Sequence, residues 1–80
     1  MKILLVEDDE DTADCVSRGL REQGHAVDVA TNGRDGLLLA VVEEHDVLIV
    51  DRKLPGLVRM MGEVGVRAPV AVFCGARRCR

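Results

Sequence analysis

Eighty residues, 48% of them hydrophobic and 31% charged, describe one small globular domain without room for a second core, and they exclude collagen-like and disordered chains. The longest apolar run, Leu37 to Val42, falls far short of the roughly 20 residues that span a bilayer. The single aromatic residue, Phe73, leaves no stacking platform for single-stranded nucleic acid.

Met1 to Val6 carries one Lys and then meets acid, without the apolar stretch and small-residue cleavage site of a secretory leader, so a cytoplasmic location is expected. Ile3 to Val6 is a continuous run of strand formers, the pattern of a strand buried on both faces of a parallel sheet. Five consecutive acids follow, Glu7 to Asp11. Asp9 or Asp11 can cap a helix whose apolar face is Ala13, Val16 and Leu20, with Gly24 as its stop. His25 to Ala30 alternates through Val27 and Val29 and ends at the turn signal Asn32-Gly33, which predicts a second strand.

Arg34 to His45 predicts a second helix, although the apolar residues 37–42 cover its whole circumference, which is unusual at a surface. Val47 to Val50 repeats the buried-strand pattern and ends on Asp51, and Leu54-Pro55-Gly56 turns the chain. Leu57 to Val64 makes a short helix before Gly65. Pro69 opens a last strand, Val70 to Phe73. The alternation of strands and helices implies an α/β fold, a parallel sheet with right-handed crossovers and helices on both faces. Residues 76–80 have no periodicity and form a frayed basic tail. The three arginines there, Arg77, Arg78 and Arg80, do not make a nucleic-acid patch. Cys15, Cys74 and Cys79 form no metal-binding or disulfide framework, and reduced thiols are expected.

Charge is uneven along the chain: residues 1–46 hold twelve acids and four bases, residues 47–80 two acids and seven bases. In a sheet of this kind ligands bind beyond the carboxyl ends of the strands. Glu7 and Asp8 end the first strand and Asp51 the third. If those strands are neighbours, three carboxylates share one rim. Like charges about 4 Å apart repel by roughly 4 kcal/mol at an effective dielectric of 20, so a cation belongs between them. Oxygen donors of this type suit Mg²⁺, which takes few protein ligands and keeps waters that phosphate oxygens can replace. An Asp carboxylate beside such a metal can act as a nucleophile toward phosphorus. The alternative is that each acid is a solvated terminus, Asp9 and Glu10 merely complementing the helix dipole.

The segments 2–8 (KILLVED), 24–30 (GHAVDVA), 46–56 (DVLIVDRKLPG) and 67–70 (RAPV) resemble the receiver domain of bacterial two-component response regulators, the type that precedes a winged-helix DNA-binding domain. The resemblance runs in order over residues 1–75 and implies a flavodoxin-like three-layer sandwich with strand order 2-1-3-4. It implies a regulatory module rather than an enzyme. Asp51 would accept a phosphoryl group from the phosphohistidine of a sensor histidine kinase. Mg²⁺ would be held by Glu7, Asp8, Asp51 and the backbone carbonyl of Lys53. The Lys53 side chain, at a position the family usually fills with an uncharged residue, would either supplement the metal's charge and hasten phosphate loss or simply be solvated.

Against the family's pattern, Val58 and Arg59 replace an Asp-Gly pair after Leu-Pro-Gly, and the segment before Ala68-Pro69 is several residues short. Cys74 stands where the family has the Thr or Ser that contacts the phosphoryl group, and a thiol is a weak donor. The fifth strand with its Lys, and the last helices, have no counterpart here. The expectation is a truncated receiver in 1–75, impaired in phosphorylation because an oriented cation at a transferring phosphoryl typically contributes several kcal/mol. The fourth strand would be an exposed edge prone to marginal folding, aggregation or a receiver homodimer. A phosphorylation-independent interaction module, using that edge or the apolar second helix, is the competing reading. No nucleic-acid or membrane partner is expected for the chain itself. A nucleotide-binding loop would need glycines where Glu7 to Glu10 stand, and a calcium loop would need Gly at Asp14.

Overall fold

The computed structural model describes residues 1–51 and 55–73, with Asp51, Pro55, Val58, Val72 and Phe73 described by their backbone alone. Seven elements alternate along it: β1 (Lys2–Val6), α1 (Glu10–Glu22), β2 (Ala26–Ala30), α2 (Gly33–Val42), β3 (Val47–Asp51), α3 (Pro55–Glu63) and β4 (Val70–Phe73). Among the described residues the sheet has four strands in the order β2-β1-β3-β4, all parallel. This is the flavodoxin-like order expected from the sequence. The 76–80 tail lies outside the described residues.

The strand register sorts the apolar side chains onto two faces, because successive residues of a strand point to opposite sides. Ile3 pairs with Val27 and Val47, and Leu5 with Val29 and Ile49. These residues pack with Ala13, Val16 and Leu20 of α1, the stripe that the three- and four-residue spacing predicts. Leu4 and Val6, with Leu48 and Val50 on the neighbouring strand, face the other way and pack with Leu37, Leu39 and Ala40 of α2 and with Leu57 and Met61 of α3. The result is three layers: α1, the sheet, then α2 with α3. Leu4, Leu5, Val6 and Val50 are wholly buried, each worth about 1.5–3 kcal/mol relative to exposure.

Local chemistry sets the helix ends. After α1 the N–H of Gly24 donates to Arg21 O (2.9 Å) and that of His25 to Leu20 O (3.2 Å), a Schellman closure that requires the positive φ of +92° at Gly24. Asn32 caps α2, its side chain accepting from Asp35 N at 2.8 Å. This helix stops at Val42, three residues before the expected His45. Tertiary contacts take over there. Glu43 adopts extended backbone (φ -121°, ψ 152°) and pairs with Lys2 Nζ at 2.5 Å. Asp46 accepts the Lys2 N–H at 2.7 Å, and His45 turns inward to Asp28. The third helix begins at Pro55, two residues before the expected start, where a proline's missing N–H costs nothing. Cys15 is disulfide-bonded, where the sequence predicts a free thiol.

Candidate functional site

The carboxyl ends of β1 and β3 lie side by side. Val6 pairs with Val50, and each strand's next residue is acidic: Glu7 after Val6, Asp51 after Val50. On the far side Asp51 pairs with Phe73 at the end of β4. The adjacency follows from the crossovers. The connection through α1 carries β2 to one side of β1, and the connection through α2 carries β3 to the other, which opens the switch point at which such sheets bind ligands.

Glu7 is wholly buried, an unusual state for a carboxylate, since desolvation disfavours an anion that is not hydrogen-bonded, paired or bound to a metal. Its N–H donates to Ala30 O at 2.9 Å, which extends the β1–β2 ladder by one residue. Its Oε2 accepts the N–H of Asp9 at 2.9 Å. Asp8, between them, is exposed. Asp9 is the N-cap of α1 in extended conformation (φ -85°, ψ 111°), without a side-chain bond to the helix N–H groups. Its Oδ2 instead accepts the hydroxyl of buried Thr12 at 2.6 Å. The loop between β1 and α1 is thus stitched from Glu7 through Asp9 to Thr12.

Of the residues assigned from the sequence, Glu7, Asp8 and the backbone of Asp51 are brought to one rim. Lys53 and Cys74 lie outside the described residues. Among the described side chains no group of three or more His, Cys, Asp or Glu is placed to hold a metal ion; the Asp51 side chain is not one of these. The donor set nevertheless suits a hard divalent cation: an inner carboxylate on Glu7, an outer one on Asp8, and a strand end carrying a third. Sequence reasoning missed the Thr12–Asp9 bond and the close approach of α2 to β1 at Gly36. A Cβ at Gly36 would lie 2.6 Å from Val6 Cγ2, immediately before the rim.

The parallel order and the acidic switch point define a doubly wound domain of the flavodoxin-like class. Comparison with known proteins narrows this. The chain is 46% identical to the transcriptional regulatory protein HprR of Escherichia coli over 71% of its length and 26% of that protein. It is 44% identical to the probable transcriptional regulatory protein SilR of Salmonella typhimurium over 91% of its length and 34% of that protein. The solved receiver domain of the Francisella response regulator 1452 superposes with a TM-score of 0.83 at 25% identity, over 89% of this chain and 63% of that one. No family model matches. The chain is thus similar to response regulators in sequence and to their receiver domains in fold, and it spans about a quarter to a third of the length of the curated relatives it matches.

Proposed function

We propose that this domain is a phosphorelay receiver in which Asp51 takes the phosphoryl group from the phosphohistidine of a sensor histidine kinase. An Asp51 carboxylate oxygen attacks phosphorus as the phosphorus–nitrogen bond breaks. The electron pair of that bond leaves with the imidazole, which takes up a proton, and the phosphoryl group remains as a mixed anhydride. Glu7, Asp8, Asp51 and the Lys53 carbonyl would hold Mg²⁺, which when bound neutralises charge on the transferring group. The Glu7–Asp9–Thr12 hydrogen bonds keep the loop in place for that role. In this reading Cys74, next after β4, takes the position of the hydroxyl that senses the phosphoryl group, and its weak S–H donor makes the coupling weaker than a Thr would.

The observation that carries the reading is the Val6–Val50 register, which sets the buried Glu7 and the end of β3 beside each other. The test is incubation with Mg²⁺ and a small acyl phosphate, followed by intact mass measurement. One phosphoryl adduct is expected, absent in Asp51→Asn and absent when the metal is chelated. A wild-type chain that stays unmodified, or an Asp51→Asn chain that is modified equally, refutes it.

A further inference from the structure

Cys15 stands in the middle of α1, is half-buried, and is disulfide-bonded. The sequence holds three cysteines. The other two, Cys74 and Cys79, both follow β4, in the segment 74–80 that lies outside the described residues. Within one chain the bond can therefore close only between the first helix and the segment beyond the last strand. The loop so closed takes in most of the domain, and long loops are where a cross-link removes the most freedom from the unfolded chain.

The layers decide between the two partners. α1 lies over β1 and β2, on the face that carries Ile3, Leu5, Val27 and Val29. β4 is two strands to the side of β1, with β3 between. At about 4.8 Å per strand that is about 10 Å sideways, and packed layers stand about 10 Å apart, so the end of β4 is about 14 Å or more from α1. A disulfide needs Cα atoms about 4.4–6.8 Å apart. Residue 74 follows Phe73 directly and advances the chain by at most about 3.8 Å, which does not close the gap. Six residues, from Phe73 to Cys79, span up to about 20 Å, which does. The route crosses the less covered side of the sheet: on β3 Leu48 and Val50, facing α2 and α3, are 1% and 0% exposed, whereas Val47 and Ile49 on the α1 side are half-buried and Ala71 beside Ile49 is exposed.

We propose that residues 74–80 are a strap pinned to α1 by a Cys15–Cys79 disulfide and released by thiol reductants. The bond forms by exchange with a small disulfide such as oxidised glutathione. One cysteine thiolate attacks it, expelling one glutathione thiolate and leaving a mixed disulfide; the second cysteine thiolate attacks the protein sulfur, and the other glutathione leaves. The two protein thiols give up two electrons and two protons, which end on the two glutathione thiols. A reducing dithiol runs the exchange backwards. Cys15, half-buried rather than enclosed, is open to both reagents. The strap leaves the sheet at Phe73, which pairs with Asp51, so the oxidised state ties down the chain beside the acidic rim and the reduced state frees it.

The test takes the full chain, reduced and then refolded in glutathione disulfide, and digests it with trypsin without reduction. Trypsin places the three cysteines in separate peptides, 3–18, 68–77 and 79–80. Peptide 3–18 is expected joined to 79–80, from a monomer about 2 Da lighter than the reduced chain. Reduction should lower the melting temperature by at least about 10 °C. Cys15→Ser and Cys79→Ser should melt alike with and without reductant, while Cys74→Ser keeps the wild-type dependence. Peptide 3–18 joined to 68–77, thiols that stay free in glutathione disulfide, a bond between two copies, or a wild-type melting temperature indifferent to reductant each overturn the proposal.

Discussion

Gly36 of α2 lies directly against Val6 of β1: a Cβ at residue 36 would stand 2.6 Å from Val6 Cγ2 and 2.9 Å from Cγ1. No side chain fits there without a shift of the Val6 side chain, next to Glu7. Alanine ordinarily gains about 1 kcal/mol over glycine inside a helix, but forcing a methyl group into a packed contact costs about 1–3 kcal/mol. Gly36→Ala is therefore expected to lower stability in urea by up to about 2 kcal/mol. Val6→Ala in the same chain should recover part of the methyl clash, and a double-mutant cycle with a coupling energy near zero would disprove the contact.

The side chain of His45 is fully buried, and its Nε2 lies 2.9 Å from Asp28 Oδ2, joining the end of α2 to the edge strand β2. This bond draws the chain out of the helix at the point where sequence periodicity alone would let it continue. Replacing His45 by Ala leaves Asp28 without this partner and opens a void, at a cost of about 1–3 kcal/mol. His45→Gln retains a donor and should lose less. The measurement is the shift of the chemical-denaturation midpoint at constant slope.

Those two contacts mark what the sequence leaves illegible. β1 and β3 could be read because continuous apolar runs have few alternatives beside acidic strand ends. The α1 face could be read because Ala13, Val16 and Leu20 repeat at helical steps. The end of α2 could not, since residues 43–45 are as permissive of helix as those before them. Lys2 and Asp28, distant in sequence, decide the matter. The site was legible to the same degree. Glu7, Asp8 and Asp51 are strand-end acids in any parallel reading, but only the order β2-β1-β3-β4 makes β1 and β3 neighbours. Nothing local distinguishes Glu7, which is buried, from Asp8, which is exposed.

Lys2 is held above its ordinary pKa chiefly by its hydrogen bond to Glu43, which outweighs the opposing effect of desolvation, with lesser help from the Coulombic attraction of Glu43 and then Asp28. A cation with a raised folded-state pKa adds stability that is complete below the unfolded value of 10.5 and disappears as pH rises through the higher folded value. The group is solvent-exposed, so the contribution is small and salt-sensitive. In an NMR titration Glu43→Gln should bring the Lys2 Nζ titration down toward the ordinary value. An unchanged Lys2 titration would show that the pair does not persist in solution.

The proposed Mg²⁺ site predicts how the fold responds to that ion. A ligand that binds only the folded state stabilises it by RT ln(1 + [L]/Kd), about 2.7 kcal/mol at a hundredfold excess over Kd. Asp8→Asn removes one of the three negative charges while leaving buried Glu7 and its bond to Asp9 in place. Weaker binding reduces the gain from Mg²⁺. The rise in melting temperature between chelator and saturating Mg²⁺ should therefore be smaller for Asp8→Asn than for wild type. Equal rises in the two, or a wild-type domain whose melting ignores Mg²⁺, would show that Asp8 does not bind the ion.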